Sequence, residues 1–208
     1  ILNKKEKEIT AYHEAGHALV ASVLPYADPV HKVSIISRGR AAGYTLKLPF
    51  EDRRMQSKKE FLDDIAVSLG GYIAEKMVFE DLTTGASNDL QVLTALARDM
   101  VMRFGMSDKL GPVAFESSGG KPLFGSGIEG KEHSEEVAAT IDDEVKLIID
   151  GAYKKAETII KKHRNVLDAI AKVLVESETI ERADFENLLI AHGLVPKKKE
   201  DIEHQPIA

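Results

Sequence analysis

His13 and His17 stand four residues apart with Glu14 between them, in the run His13-Glu14-Ala15-Gly16-His17. On a helix that spacing puts the two imidazoles one turn apart on one face, so both can reach a single ion. Glu14 lies about a hundred degrees from His13 around the helix axis. It can therefore reach a water at the ion's open coordination position without ligating the ion itself. Zinc held by neutral ligands and one carboxylate brings the pKa of such a water near neutrality. Glu14 could then take the proton as general base and pass it to a leaving amine. The chemistry available to these residues is metal-assisted hydrolysis of an amide bond.

The pattern is the H-E-x-x-H signature of the zincins. The same five residues can also arise by chance, in a loop or on a solvated face. Here they fall in a strongly amphipathic helical pattern, where Ala15 and Gly16 leave room for close packing beside an ion. Three protein ligands are expected at a catalytic zinc, so a third must come from elsewhere. Asp89, in the small-residue run Thr84-Gly85-Ala86-Ser87-Asn88-Asp89-Leu90, is one candidate; it could equally be a plain first-turn acid or cap. Glu75, on a largely apolar helix after Gly70-Gly71, is the other. It could ligate zinc, support a ligand histidine by a hydrogen bond, or simply form a half-exposed ion pair near Lys76. Spacing alone leaves the choice between Asp89 and Glu75 open. His31, His133, His163, His192 and His204 are scattered singly and are assigned to no site.

The elements that must position these residues can be read from periodicity. Ile9, Tyr12, Ala15, Gly16, Leu19, Val20 and Val23 mark a helix over about 5–24, ended by Pro25 and Asp28-Pro29. A β-rich stretch follows: a strand over 30–37, a turn over 38–43, and an alternating strand over 44–48. Together they form a small sheet with at least one exposed edge. Ser57 and Glu60 form a capping-box pattern at the start of a second helix. Residues 83–87 read as a loop, and Asn88 or Asp89 as the cap of a third helix running to Phe104-Gly105. The glycine-rich stretch 106–132 reads as a long surface excursion and a possible subdomain break. Ser134 opens a long helix to about His163, and two shorter helices follow near 165–176 and 182–192. The expected domain covers 1–192, with 193–208 a polar, flexible tail in which the lysines from Lys197 are solvated. The fold class is mainly α, with a small β element inserted after the first, metal-binding helix.

Composition narrows the function classes. The 208 residues suffice for a core without staples, and the absence of cysteine leaves only imidazole and carboxylate to hold a metal. A formal net charge of −6 and the lack of tryptophan argue against a nucleic-acid partner. No apolar run approaches the ~20 residues a membrane-spanning helix needs, so the chain itself is expected not to span a bilayer.

Beyond the five-residue motif, Thr10-Ala11-Tyr12-His13-Glu14-Ala15-Gly16-His17-Ala18 resembles the start of the peptidase domain of the FtsH family, membrane-anchored AAA+ ATP-dependent zinc metalloproteases. The resemblance runs colinearly over about residues 5–190. It continues through Pro29 to Ile36, Gly43-Tyr44-Thr45-Leu46, Leu69 to Glu75, Thr84 to Leu90, Met106 to Pro112 and Ser134 to Ala138. It implies a mainly helical, zincin-like domain with one Zn2+ per chain on His13, His17 and Asp89. Glu14 would be the base and Glu75 a supporting acid. It also implies a hexameric ring whose sites face an enclosed chamber. The Tyr44, Thr45 and Leu46 strand would offer its edge to an extended, unfolded or membrane-extracted substrate. The family's ATP-binding module would lie outside this chain, which carries no G-x-x-x-x-G-K-[ST] motif, so ATP is expected only there. The parent protein would be anchored in the bacterial plasma membrane, or an organellar one, with this domain in the cytoplasm. Tyr72 and Lys76 depart from residues common in the family and are expected to alter surface contacts only. The rival reading is a hexamer-forming assembly module with a dormant metal site. The intact set His13, Glu14, His17 and Asp89 speaks against it.

Overall fold

The computed structural model describes residues 3–39, 42–49, 55–115 and 134–198. Helix α1 (Lys4–Val23) opens on Asn3, whose side chain accepts from the Glu6 N–H while the Glu6 carboxylate accepts from the Asn3 N–H. This reciprocal pairing satisfies two groups the helix start would otherwise leave bare. From Ala11 to Ala21 nearly every residue of α1 is buried. The helix is walled on several sides, which explains why its sequence is dominated by alanine and glycine over that stretch.

Strand β1 (Val30–Ser34) is the centre of a three-stranded antiparallel sheet of order β2-β1-β3. Strand β2 (Tyr44–Lys47) pairs with it through Ser34↔Tyr44, Val33↔Thr45 and Lys32↔Leu46, with a bulge between Val30 and Lys32. The third strand, β3 (Thr179–Glu181), pairs on the other side through Val33↔Ile180. Sequence periodicity misses β3, because three residues between two helices are too short to show an alternation.

Helix α2 (Lys58–Phe79) starts at the expected capping box of Ser57 and Glu60. It crosses α1 backbone to backbone. A Cβ on Gly16 would lie 2.2 Å from the Gly70 carbonyl oxygen, and one on Gly70 would lie 2.6 Å from that of Gly16. A single 3-10 turn, Thr84–Ala86, leads into α3 (Ser87–Met102). The cap position of α3 is Ala86, so Asn88 and Asp89 sit in the first turn instead of capping it, and the helix ends at Met102, short of Phe104. The preceding 3-10 turn has already aimed the chain, leaving the Asp89 carboxylate free to point elsewhere.

The segment expected to be a surface excursion is in part docked. Met106, Leu110 and Phe115 pack on the core, and the buried Ser107 hydroxyl donates to Glu144 at 2.6 Å. Residues 116–132 of that stretch lie outside the described residues. Helix α4 (Glu135–Lys162), opened by Ser134, packs along α2. There the buried Asp63 carboxylate accepts from Lys155 at 3.0 Å and from the Tyr26 N–H at 2.9 Å. Tyr72 and Lys76 of α2 both approach the Tyr153 ring of α4.

Helix α5 (Arg164–Ser177) packs on α1, where the Tyr12 hydroxyl donates to Asp168 at 2.9 Å. Helix α6 (Arg182–Ala191) follows β3 directly. Apolar side chains from α1 through α6 form one core cluster. Lys197 is not solvated as the sequence suggests: its ammonium donates to the Ala21 and Ala27 carbonyls, and Leu194 packs on the core. No helix among the described residues is long and apolar enough to cross a membrane.

Candidate metal centre

Three elements meet at the buried side of α1. Helix α1 brings His13, Glu14 and His17, α2 brings Glu75, and the start of α3 brings Asp89. His13 and His17 meet edge to face at 4.7 Å between ring centres, and their Nε2 atoms lie 3.0 Å apart. Asp89 Oδ2 lies 3.0 Å from His13 Nε2 and 3.3 Å from His17 Nε2. Among the described residues, His13, His17 and Asp89 form the one group of three metal-ligating side chains with ligand atoms this close together.

The far side of each ring fixes its tautomer. His17 Nδ1 is 2.7 Å from the Val67 carbonyl oxygen, which can only accept, so Nδ1 carries the hydrogen. His13 Nδ1 is 2.7 Å from Glu75 Oε1. Glu75 is 1% exposed, and its other oxygen accepts from the Thr83 N–H at 3.0 Å and hydroxyl at 2.9 Å. Burial alone would push this carboxyl up, but the bonds from His13 and Thr83 bring it down, so it is held as an acceptor. His13 Nδ1 therefore donates, and both Nε2 atoms present lone pairs toward the Asp89 carboxylate. Three acceptors facing one another across about 3 Å repel unless a cation lies between them.

A proton on His13 Nε2, donated to Asp89, can take that cation's place. Burial would lower the affinity of His13 for a proton, yet its bonds to Asp89 and Glu75 raise its pKa to about 10. Burial would likewise raise Asp89, and its bonds to His13 and His17 hold it well below the usual carboxylate range. Positive charge is strongly favoured at this spot.

The helix crossing makes room for these rings. A Cβ on Gly71 would come within 2.5 Å of the His13 imidazole. Glu75 is neither half-exposed nor paired with a surface lysine; it stands behind His13, on the opposite ring nitrogen from Asp89. Glu14 is 6% exposed and lines the same cleft as the two rings, where the Thr45 hydroxyl of β2 donates to its Oε2 at 2.9 Å.

A cleft of about 900 Å³ opens over the cluster, with β2 along one wall and the Thr83–Asp89 turn along the other. Leu48 donates its N–H to the Pro29 carbonyl at 3.2 Å, toward β1. The two-residue period of a strand then turns the backbone of Tyr44 and Leu46 toward β1 as well. The N–H and C=O groups of Thr45 and Lys47 are left on the free edge beside the cleft. Sequence reasoning names Tyr44, Thr45 and Leu46 as edge residues but does not reach Lys47. It also misses Val67, Thr83 and the Thr45–Glu14 bond, contacts across the fold that leave no local pattern.

Comparison with known proteins agrees with this geometry. The ATP-dependent zinc metalloprotease FtsH 1 of Sphaerobacter thermophilus is 51% identical over 189 residues, 90% of this chain and 29% of the relative. The ATP-dependent zinc metalloprotease FtsH of Caldicellulosiruptor bescii is 47% identical over 190 residues, 91% of this chain and 31% of its own length. A third relative, FtsH 3 of Synechocystis, is 47% identical over 195 residues, 91% of this chain and 32% of its own. The chain thus spans about a third of the length of these relatives. The sequence model of peptidase family M41 matches residues 1–188, and the chain belongs to that family.

Proposed function

We propose that this chain is a zinc-dependent endopeptidase domain, with His13, His17 and Asp89 as the zinc ligands and Glu14 as the general base. The observation that carries the reading is the convergence of two imidazole Nε2 atoms, each ring fixed from behind, with a carboxylate oxygen. That donor set, two neutral imidazoles and one carboxylate, fits zinc with a coordination position to spare. When bound, zinc supplies a Lewis acid that polarises the scissile carbonyl and acidifies a water. Glu14 takes that water's proton and delivers it to the leaving amine. Glu75 and the Val67 carbonyl keep both imidazoles in the ligating tautomer.

Substrate enters as an extended strand along β2, pairing with the N–H and C=O groups of Thr45 and Lys47. Such pairing reads backbone and not side chains, so it suits unfolded polypeptides of varied sequence. The relatives are named ATP-dependent. By extension the parent protein feeds this domain from an ATPase ring outside the chain, as a hexamer anchored in a bacterial membrane with this domain on the cytoplasmic side. Residues 1–192 form the peptidase domain, and the segment that follows is anchored on it through Leu194 and Lys197.

The test is Glu14→Gln in the full-length protein, which keeps zinc near one per chain and loses cleavage of an unfolded substrate. Retained cleavage by Glu14→Gln removes Glu14 as base. Stoichiometric zinc in a wild type that cleaves nothing points to an assembly module with a dormant site.

A further inference from the structure

We propose that Thr45 is the positioning residue for Glu14, so that one residue of the cleft's edge strand both presents backbone to substrate and sets the direction of the base. The inference rests on the reading of Glu14 given above and adds a residue that the H-E-x-x-H pattern does not contain.

Glu14 is nearly fully buried, but nothing on its own helix fixes which way its carboxylate points. Toward β2 it has space because of Gly43, where a Cβ would lie 2.9 Å from Glu14 Cγ and 3.0 Å from Oε1. Through that gap the Thr45 hydroxyl reaches Oε2 at 2.9 Å. A second, longer approach of 3.3 Å runs from the same hydroxyl to the Glu14 carbonyl oxygen. A hydroxyl has one hydrogen, so the shorter contact to the carboxylate takes it. With one hydrogen bond on Oε2, the carboxylate is held in one orientation and Oε1 is its less engaged oxygen. Glutamate has three side-chain torsions to fix, and a misplacement near 1 Å at a reacting group can cost about a hundredfold in rate.

The position of Thr45 in the sheet gives the bond a second consequence. Its N–H and C=O lie on the free edge of β2, while its side chain points at α1. A peptide paired along that edge would bond to the residue that holds the base. Alignment of the scissile bond and alignment of Glu14 then share one anchor. A purely structural role would differ, because Thr45 would only tie β2 to α1 and any side chain of the same shape would serve.

Thr45→Val keeps shape and strand preference and deletes the hydroxyl, while Thr45→Ser keeps the hydroxyl and deletes a methyl. In the full-length protein, with a fluorogenic unfolded substrate, Thr45→Val is expected to lower kcat by about ten- to a hundredfold. KM should stay within about twofold, because the backbone edge is unchanged. Zinc content should match the wild type, and Thr45→Ser should recover kcat to within about threefold. In a Glu14→Gln background, adding Thr45→Val should cost nothing further, since no base remains to be aligned. Wild-type kcat in Thr45→Val, alongside a dead Glu14→Gln, overturns this proposal and leaves Glu14 as base. A Thr45→Ser variant as slow as Thr45→Val also overturns it, as does a rise in KM alone. Cleavage retained by Glu14→Gln overturns both.

Discussion

Glu75 and Asp89 are two acids on opposite sides of one imidazole, and their removal should have different results. Asp89 faces the lone pairs of both histidines, whereas Glu75 holds His13 from behind and is itself tied down by Thr83. Asp89→Ala deletes a proposed ligand and should leave no stoichiometric zinc after gel filtration. Glu75→Ala leaves the three proposed ligands but frees the His13 ring, and should weaken zinc by about ten- to a hundredfold. Competition with a chromophoric chelator measures both, and equal loss in the two variants would remove the distinction. His13, Glu14 and His17 are legible in the sequence because their geometry is local: four residues of helix put them together. Asp89 and Glu75 are legible only as candidates, since three-dimensional placement decides which nitrogen each one meets. The Thr45 hydroxyl and the Val67 carbonyl leave no sequence signal, because any strand threonine and any helix carbonyl look the same.

The helices are legible almost to the residue where side chains cap them, as at Ser57 and Ser134. They are less so where the chain enters through a 3-10 turn, as at Ala86. Between α1 and α2 the decisive contact is backbone on backbone, so glycines carry it. Gly70→Ala would drive a Cβ to 2.6 Å from the Gly16 carbonyl and should cost roughly 1–3 kcal/mol of stability by forcing the helices apart. Gly71→Ala would strike the His13 ring at 2.5 Å, so its effect should appear in zinc binding as well as in the thermal midpoint. Gly151 is the control: it lies within α4 with nothing within 4 Å of an added Cβ. Gly151→Ala should raise stability by up to about 1 kcal/mol through helix propensity. Thermal unfolding of the three variants, with zinc measured alongside, separates crowding at the crossing from crowding at the ring.

Across the whole molecule, Lys197 ties the chain after α6 back to the end of α1. Burial lowers its pKa to about 8, although Asp63 and Asp28 pull the other way. The folded chain therefore binds this proton less tightly than the unfolded chain, whose lysine titrates near 10.4. Below about pH 8 the ammonium is carried in both states and its desolvation weighs against the fold. Between about pH 8 and 10 the folded state sheds the proton first, so this group's contribution to stability rises with pH. The gain should reach roughly 1–3 kcal/mol by pH 10, seen as a rise in urea midpoint relative to Lys197→Met. A wild type and a Lys197→Met variant with parallel pH profiles would refute it.

The strand order carries a last consequence. The wall of the cleft, β2, hangs on β1, and β1 is completed on its far side by Thr179–Glu181. A lone two-stranded hairpin is marginal in water. A ribosome that has made every proposed zinc ligand has not yet completed the sheet that carries the cleft wall, and must extend the chain beyond residue 181 to do so. For a protein proposed to cut unfolded chains, this order of synthesis would keep a half-made copy from digesting itself or its neighbours.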